Sequence, residues 1–160
     1  MEIDRYIRHS EFVTKYEQER LHRASVLIAG CGIGSITAVN LARIGVGTIG
    51  RLILADPEKI EIWDLNRQEY SEEDLGQNKA ERLARRIRQI NREVNIEVIS
   101  EGVTQGNIPD LVKSAKVVVD AVDISVPHIS FRLHEEAEKQ SRPLTTGLDV
   151  GGGVIAYVFD

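Results

Sequence analysis

The segment Ala29-Gly30-Cys31-Gly32-Ile33-Gly34-Ser35 separates an apolar run from a helical pattern. That is the context in which a glycine turn can receive a phosphate. The first glycine allows a tight turn and the second lets the backbone approach the anion. A helix amino terminus behind them offers free amides and a positive dipole end. Asp56 closes the next apolar run, where its carboxylate is placed to accept hydrogen bonds from ribose hydroxyls. Arg67, taken alone, is an ordinary surface ion-pair residue. Flanked by Asn66 and Gln68, with Lys79 further on, it reads as part of a ligand site. Lys79 opens a helix, where a positive charge works against the dipole, and that favours a ligand role for it. Asp120-Ala-Val-Asp123 ends a later strand, a natural place for a hard-oxygen magnesium ligand. Together these residues predict a nucleotide-like ligand at the carboxyl edge of a sheet.

Three chemistries share that geometry: hydride transfer with NAD, methyl transfer from S-adenosylmethionine, and adenylation from ATP. The run Val26 to Gly34 looks like a methyltransferase first motif, but Ile28 and Ala29 stand where an acidic residue is common. The NAD reading lacks a Tyr-x-x-x-Lys pair.

The elements that would position these residues follow a simple alternation. Ser25–Ala29 and Arg51–Ala55 are short and continuously apolar, as strands buried on both faces of a parallel sheet are. The helix between them runs from about Ser35 to Ile44, with Gly45 and Gly47 supplying a left-handed cap. Glu58 to Gly76 is irregular and holds the densest polar signals. Asn78 to Asn91 is the clearest helix, with Ala80, Leu83, Ala84, Ile87 and Ile90 at helical spacing. Strands are expected at 94–99, 116–120, 143–146 and 154–159, and helices at 108–113 and 128–140. Arg82, Arg85, Arg86, Arg88 and Arg92 read as a solvated helix face, and Trp63 as a packing residue. Residues 1–23 read as an amphipathic helical arm with apolar positions Tyr6, Ile7, Phe12, Val13 and Tyr16, free to pack on a neighbour. The expected fold class is α/β: a Rossmann-like, doubly wound, mainly parallel sheet with helices on both faces and an N-terminal helical arm. The expected domains are the arm at 1–23 and a nucleotide-binding domain at 24–160.

Composition narrows the classes. The chain has 160 residues, 42% hydrophobic and 28% charged, as in an ordinary globular domain. Lys and Arg number 20 and Asp and Glu 25, a net charge of −5. That balance disfavours nucleic acid and acidic membranes as partners. No apolar run reaches the roughly 18 residues of a membrane span. Charges throughout the first 25 residues argue against a secretory leader, so a cytoplasmic location is expected. The single Cys31 forms no internal disulfide or CxxC zinc site, and reads as a small packing residue.

The segment Asp64-Leu-Asn-Arg-Gln68 is the most specific signal in the chain, and with it the sequence resembles the ThiF/MoeB/HesA family of the ubiquitin-activating enzyme superfamily. The resemblance covers nearly all 160 residues. It runs in order through Arg5-Tyr6-Ile7-Arg8-His9, the glycine turn, Gly45-Val46-Gly47, Asp56, Asn66-Arg67-Gln68, Gly76-Gln77-Asn78-Lys79-Ala80, Ile90-Asn91, Asp120-Ala-Val-Asp123 and Pro143-Leu-Thr-Thr-Gly147. It implies ATP-dependent adenylation, with magnesium, of the C-terminal glycine carboxylate of a ubiquitin-like or sulfur-carrier protein, or of a peptide. It also implies roles: Gly30, Gly32 and Gly34 line the nucleotide, Asp56 holds the ribose, and Asn66 and Gln68 contact the cofactor. Arg67 and Lys79 hold phosphates, and Asp123 sits at the magnesium and the reacting phosphate. Arg8 reaches into the site of the other subunit of a homodimer.

The pattern is not matched throughout. The family's turn is usually one residue longer, with a doubled glycine. Asn is common where Asp64 and Ile124 stand, and an extra carboxylate near phosphates is mildly repulsive. Many relatives continue past the last strand into a catalytic cysteine and zinc-binding CxxC pairs. The expectation is therefore an amino-terminal piece of a longer protein, or a short member. The alternatives are a non-catalytic nucleotide-binding and partner-docking module, or an NAD- or S-adenosylmethionine-dependent enzyme.

Overall fold

The computed structural model describes residues 5–150 and 153–159, with side chains described outside 148–150 and 153–155. Six strands, β1 (Ser25–Ala29), β2 (Arg51–Ala55), β3 (Ile96–Ile99), β4 (Val117–Asp120), β5 (Leu144–Val150) and β6 (Gly153–Phe159), form one sheet in the order β3-β2-β1-β4-β5-β6. Every neighbouring pair is parallel except β5 and β6. β1 is central because Leu27, Ile28 and Ala29 have no polar side chain to direct at solvent, and all three are fully buried.

Helices cover both faces. On one, α2 (Gly34–Arg43) and α3 (Lys79–Ile90) pack Ala38, Val39, Ala42, Leu83 and Ile87 against Ile28, Leu52 and Leu54. On the other, α4 (Ile108–Ser114) and α5 (Pro127–Lys139) bring Leu111, Val112 and Leu133 to Leu27, Ile53 and Val118. The α/β, doubly wound, mainly parallel class is what the alternation predicts. The direction of β6 is not. It returns antiparallel beside β5, with Leu144 opposite Phe159, a pairing that needs no crossover helix.

The arm differs from its expectation. The α-helix, α1, spans only Lys15–Arg23, and a short 3-10 turn covers Ile7–His9. Thr14 stops the helix from extending back: its hydroxyl accepts the Glu17 amide while the Glu17 carboxylate accepts the Thr14 amide, a closed capping box. Nor is the arm wholly reserved for a neighbour. Tyr6 is buried, its ring edge-on to His22, and its hydroxyl accepts from Asn91 Nδ2 at 3.0 Å. Ile7, Phe12 and Tyr16 remain exposed. Among the described residues no helix is long and apolar enough to cross a membrane.

Candidate nucleotide site

In this strand order the chain goes out from β1 to β3 and then jumps back to β4 on the other side of β1. The loops leaving β1 and β4 therefore diverge, and a crevice opens at the carboxyl ends of the strands. The glycine turn leaves β1, the Asp56 loop leaves β2, and the loop holding Asp123 leaves β4.

The turn is held by sterics and by Asp56. Gly30 has φ +93°, and a Cβ there would lie 2.2 Å from the Ala121 carbonyl oxygen, so the two loops touch backbone to backbone. Gly32 faces the amide of Gln68, and a Cβ on Gly34 would meet Ile28 Cγ2 at 2.8 Å. Gly34 thus also serves close helix–strand packing. Ser35 stands where a third regularly spaced glycine would fall. Its hydroxyl donates to the Gly32 carbonyl at 2.6 Å and accepts the Glu69 amide at 3.1 Å, tying the turn to the loop beyond β2.

Asp56 is buried and accepts the Cys31 amide at 2.6 Å on one oxygen and the Glu58 amide at 2.8 Å on the other. Burial raises its pKa above the ordinary carboxylate value, and the two amides counteract this. The Cys31 thiol is fully buried, and burial drives its pKa well up, so it has little thiolate character. That agrees with its reading as a packing residue.

Beyond Asp56 the chain turns through residues 58–76 with only two short 3-10 turns, Ile62–Asp64 and Glu72–Asp74. This irregular stretch carries Glu58, Asp64 and Arg67, and it packs against Lys79 at the start of α3. The Lys79 ammonium is buried, 2.7 Å from Glu58 Oε2 and 3.3 Å from Asp64 Oδ2. Burial pulls its pKa down, but Glu58, Asp64 and Asp56 outweigh this and hold it above the usual value. Asp64 also accepts the Gln68 amide nitrogen at 2.8 Å and lies 3.7 Å from the Arg67 guanidinium. Arg67 is exposed, donating to the Trp63 carbonyl at 2.6 Å and to Asn66 Oδ1 at 3.2 Å. The side-chain oxygen Oε1 of Gln68 is buried with no hydrogen-bond partner among the described residues.

Across the crevice, Asp123 is exposed and accepts the Ser125 amide at 2.7 Å. That bond, and then the positive charges of Lys79 and Arg67, hold its carboxyl below the usual range. Asp120 is buried, accepting from the Val122 amide, from Ser130 and from His134, so it orients the loop that presents Asp123.

The structure therefore gathers Gly30, Gly32, Gly34, Asp56, Asn66, Arg67, Gln68, Lys79 and Asp123 at one edge of the sheet. Arg8 is not among them. It follows Tyr6, which packs on Gly45 and Asn91 at the far ends of α2 and α3, and is exposed at the opposite edge. Two readings need correction. Trp63 is exposed rather than packed, because its backbone carbonyl, not its ring, is what the loop uses. Arg82 is not on a solvated face: it is half-buried against Asp74, whose pKa is lowered, against the effect of its own burial, by the Ser71 amide and by Arg82.

Sequence reasoning missed Glu58 and Tyr70. The Tyr70 hydroxyl lies 2.7 Å from the Cys31 carbonyl and 3.1 Å from the Lys79 carbonyl, bridging the glycine turn to the start of α3. Burial pushes its pKa far up, so it stays a donor. Tyr70→Phe removes the donor and leaves carbonyls without it. The expected cost is about 1–3 kcal/mol in a denaturant melt.

Comparison with known proteins follows the same line. The model of the ThiF family matches residues 3–157. A sulfur carrier protein ThiS adenylyltransferase of Bacillus subtilis is 34% identical over 140 residues, covering 84% of this chain and 40% of that protein. A sulfur carrier protein adenylyltransferase of Thermus thermophilus is 34% identical, covering 91% of this chain and 54% of that one. The chain thus spans about half the length of these relatives or less. Among solved structures, Escherichia coli MccB with ATP superposes with a TM-score of 0.77 at 31% identity, covering 94% of this chain and 46% of that one. Escherichia coli tRNA N6-threonylcarbamoyladenosine dehydratase, TcdA, with ATP gives 0.81 at 28%, covering 91% and 61%.

Proposed function

The chain belongs to the ThiF family, and from that premise we propose that it adenylates the C-terminal carboxylate of a ubiquitin-like or sulfur-carrier protein, or of a peptide, using ATP and magnesium. The observation that carries the reading is that Arg67 and Lys79 meet at Asp64 in the loop beyond β2, while the loop that presents Asp123 touches the glycine turn at Gly30. Both relatives named as carrier adenylyltransferases, and both structures with ATP, support it.

The chemistry needs what the site has. A carboxylate oxygen attacks the α-phosphorus, the bond to the bridging oxygen breaks, and pyrophosphate leaves, giving an acyl adenylate. No side-chain nucleophile takes part. The obstacle is negative charge, which fixed cations relieve. Arg67 supplies a forked donor and Lys79 a buried point charge. Asp56 retains lone pairs for ribose hydroxyls, and Gln68 Oε1, without a partner among the described residues, is a further acceptor beneath the turn. Magnesium, when bound, neutralises phosphate oxygens. Asp123 is the residue that would hold it, as a single hard-oxygen carboxylate. The protein is a cytoplasmic homodimer in this reading, with Arg8 serving the partner copy's site, since its own is out of reach.

The test is exchange of labelled pyrophosphate into ATP, with a sulfur-carrier protein ending in Gly-Gly as acceptor. Exchange is expected to depend on the acceptor. Arg67→Ala and Asp123→Ala are each expected to lower it by about 10²–10³-fold. Both side chains are exposed, so the fold should survive. Normal exchange by both variants would remove the assignment.

A further inference from the structure

The arm and the crevice are fastened to opposite ends of one helix, α2. At its start, Gln68 lies against Gly32 and the Ser35 hydroxyl accepts the Glu69 amide, so the loop 58–76 abuts that end. At its far end, Tyr6 packs on Gly45 and Gln18 donates to the Ile44 carbonyl at 2.8 Å, while His22 Nδ1 lies 3.1 Å from the Gly45 carbonyl. The ten residues of α2 span about 15 Å between the two. Its outward stripe is Ile33, Ile36, Asn40 and Arg43, all exposed. Exposed apolar side chains continue beyond both ends: Ile7, Phe12 and Tyr16 on the arm, Ile62 and Trp63 on the loop. The two ends also differ in charge. The loop 58–76 holds seven carboxylates against Lys59 and Arg67, and the arm from residue 5 to 23 holds five Lys and Arg against three Glu.

We propose that the outer face of α2 is the seam of a homodimer, with the two-fold axis crossing the helix near Ala38. The inference rests on the reading that Arg8 serves a partner copy's site, and it names the surface that would deliver it. A two-fold axis perpendicular to α2 reverses the helix, so the arm of one copy lies at the crevice end of the other. Antiparallel α2 helices then set Ile36 against the partner's Asn40, and Ile33 against the stem of the partner's Arg43. The apolar arm positions reach the Ile62 and Trp63 end, and a basic arm meets an acidic loop. Each of these contacts is made twice, as in any isologous interface. A second exposed apolar face, Phe131 and Phe159, lies beside α5 on the other side of the sheet. It does not lie between arm and crevice, so pairing there joins neither to the other.

The experiment is sedimentation equilibrium of the whole chain without nucleotide, on the wild type, Ile36→Arg, Phe12→Asp and, as a control, Phe131→Arg. All three side chains are exposed, and a circular-dichroism melt checks each fold. The wild type is expected to be a dimer. Ile36→Arg brings a like charge to the partner's Arg43 on both sides of the seam, and is expected to raise the dimer dissociation constant by about 100-fold or more. Phe12→Asp removes an apolar contact and turns an acid toward the acidic loop, with an expected rise of about tenfold. Phe131→Arg is expected to change it by less than about twofold. A monomeric wild type overturns the inference, as does an Ile36→Arg or Phe12→Asp variant that dimerises like its parent. A dimer that Phe131→Arg breaks and Ile36→Arg leaves intact also overturns it, by moving the seam to the α5 face. Should Ile36→Arg not melt cooperatively, Phe12→Asp decides. Pyrophosphate exchange keeps this result apart from the site reading. A wild type that exchanges yet sediments as a monomer defeats the seam alone, and one that dimerises through α2 yet binds no Mg-ATP defeats the site reading alone.

Discussion

Gly30→Ala is expected not to accumulate as a folded protein. Two costs fall on one methyl group. Gly30 has φ +93°, which an alanine reaches only with strain of about 1–2 kcal/mol. The Cβ would also lie 2.2 Å from the Ala121 oxygen and 2.6 Å from its carbonyl carbon. That neighbour is backbone at the end of a central strand, so no side chain can swing aside. The Gly30 amide donates to Ala55 at 2.9 Å and the Ala121 amide to Ala29 at 2.7 Å, so both loops are already pinned. The summed penalty is expected to exceed about 4 kcal/mol, a large part of the roughly 5–15 kcal/mol that stabilises a domain. Gly32→Ala is the control. Its Cβ would meet only the far end of Gln68, at 3.3 Å, and the chain is expected to fold with a melt close to that of the parent. Soluble yield and a circular-dichroism melt of the two variants measure the contrast. Equal stability would contradict the packing described here.

Lys79→Met carries the second large effect. The methionine can fill the stem's place, but it leaves Asp64 buried without its cation, with the exposed Arg67 as the nearest positive group. Removing one partner of a buried pair costs about 3–5 kcal/mol, mostly because the other charge stays behind. The pH dependence has a definite sign. The folded-state pKa of Lys79 is raised above 10.5, so its contribution is fully present below that value and is lost only as pH rises through the folded pKa. The penalty is therefore expected to be flat from roughly pH 6 to 9 in urea melts, and to shrink only in strong alkali. A penalty under about 1 kcal/mol at neutral pH, or one that fades already below pH 9, would contradict the buried-pair account. The same variant should also lose pyrophosphate exchange in whatever fraction remains folded.

How much of this was legible beforehand follows from where periodicity operates. The strands Val26 to Ala29 and Leu52 to Ala55 are apolar without interruption, and only burial on both faces explains that. The amphipathic pattern of α3 is equally plain. Gly30 could be read as a turn glycine because no other residue suits φ +93°, though nothing in the sequence says that Ala121 is what it meets. The loop from 58 to 76 has no period, so its residues could be recognised only by type and by family likeness. Asp64 was read there as a source of repulsion, since a sequence shows a charge but not its donors. In the fold it accepts two amides and sits beside two cations. Glu58 went unread because its partner lies 21 residues away, across the loop. Thr14 could have marked the start of α1, since Glu17 follows three residues later, but the charges of the arm looked continuous with the helix. The antiparallel return of β6 has no local signal, as an apolar strand reads the same in either direction.

The central claim is that the crevice at the carboxyl ends of β1, β2 and β4 takes ATP. The most direct measurement is thermal unfolding with Mg-ATP, NAD and S-adenosylmethionine side by side. A ligand at about 100 times its dissociation constant stabilises by about 2.7 kcal/mol, or roughly 5–10 °C in a domain of this size. The predicted result is a shift of that order with Mg-ATP and none with the other two. A shift with NAD or S-adenosylmethionine in its place, or no shift with Mg-ATP at saturating concentration, would contradict the assignment.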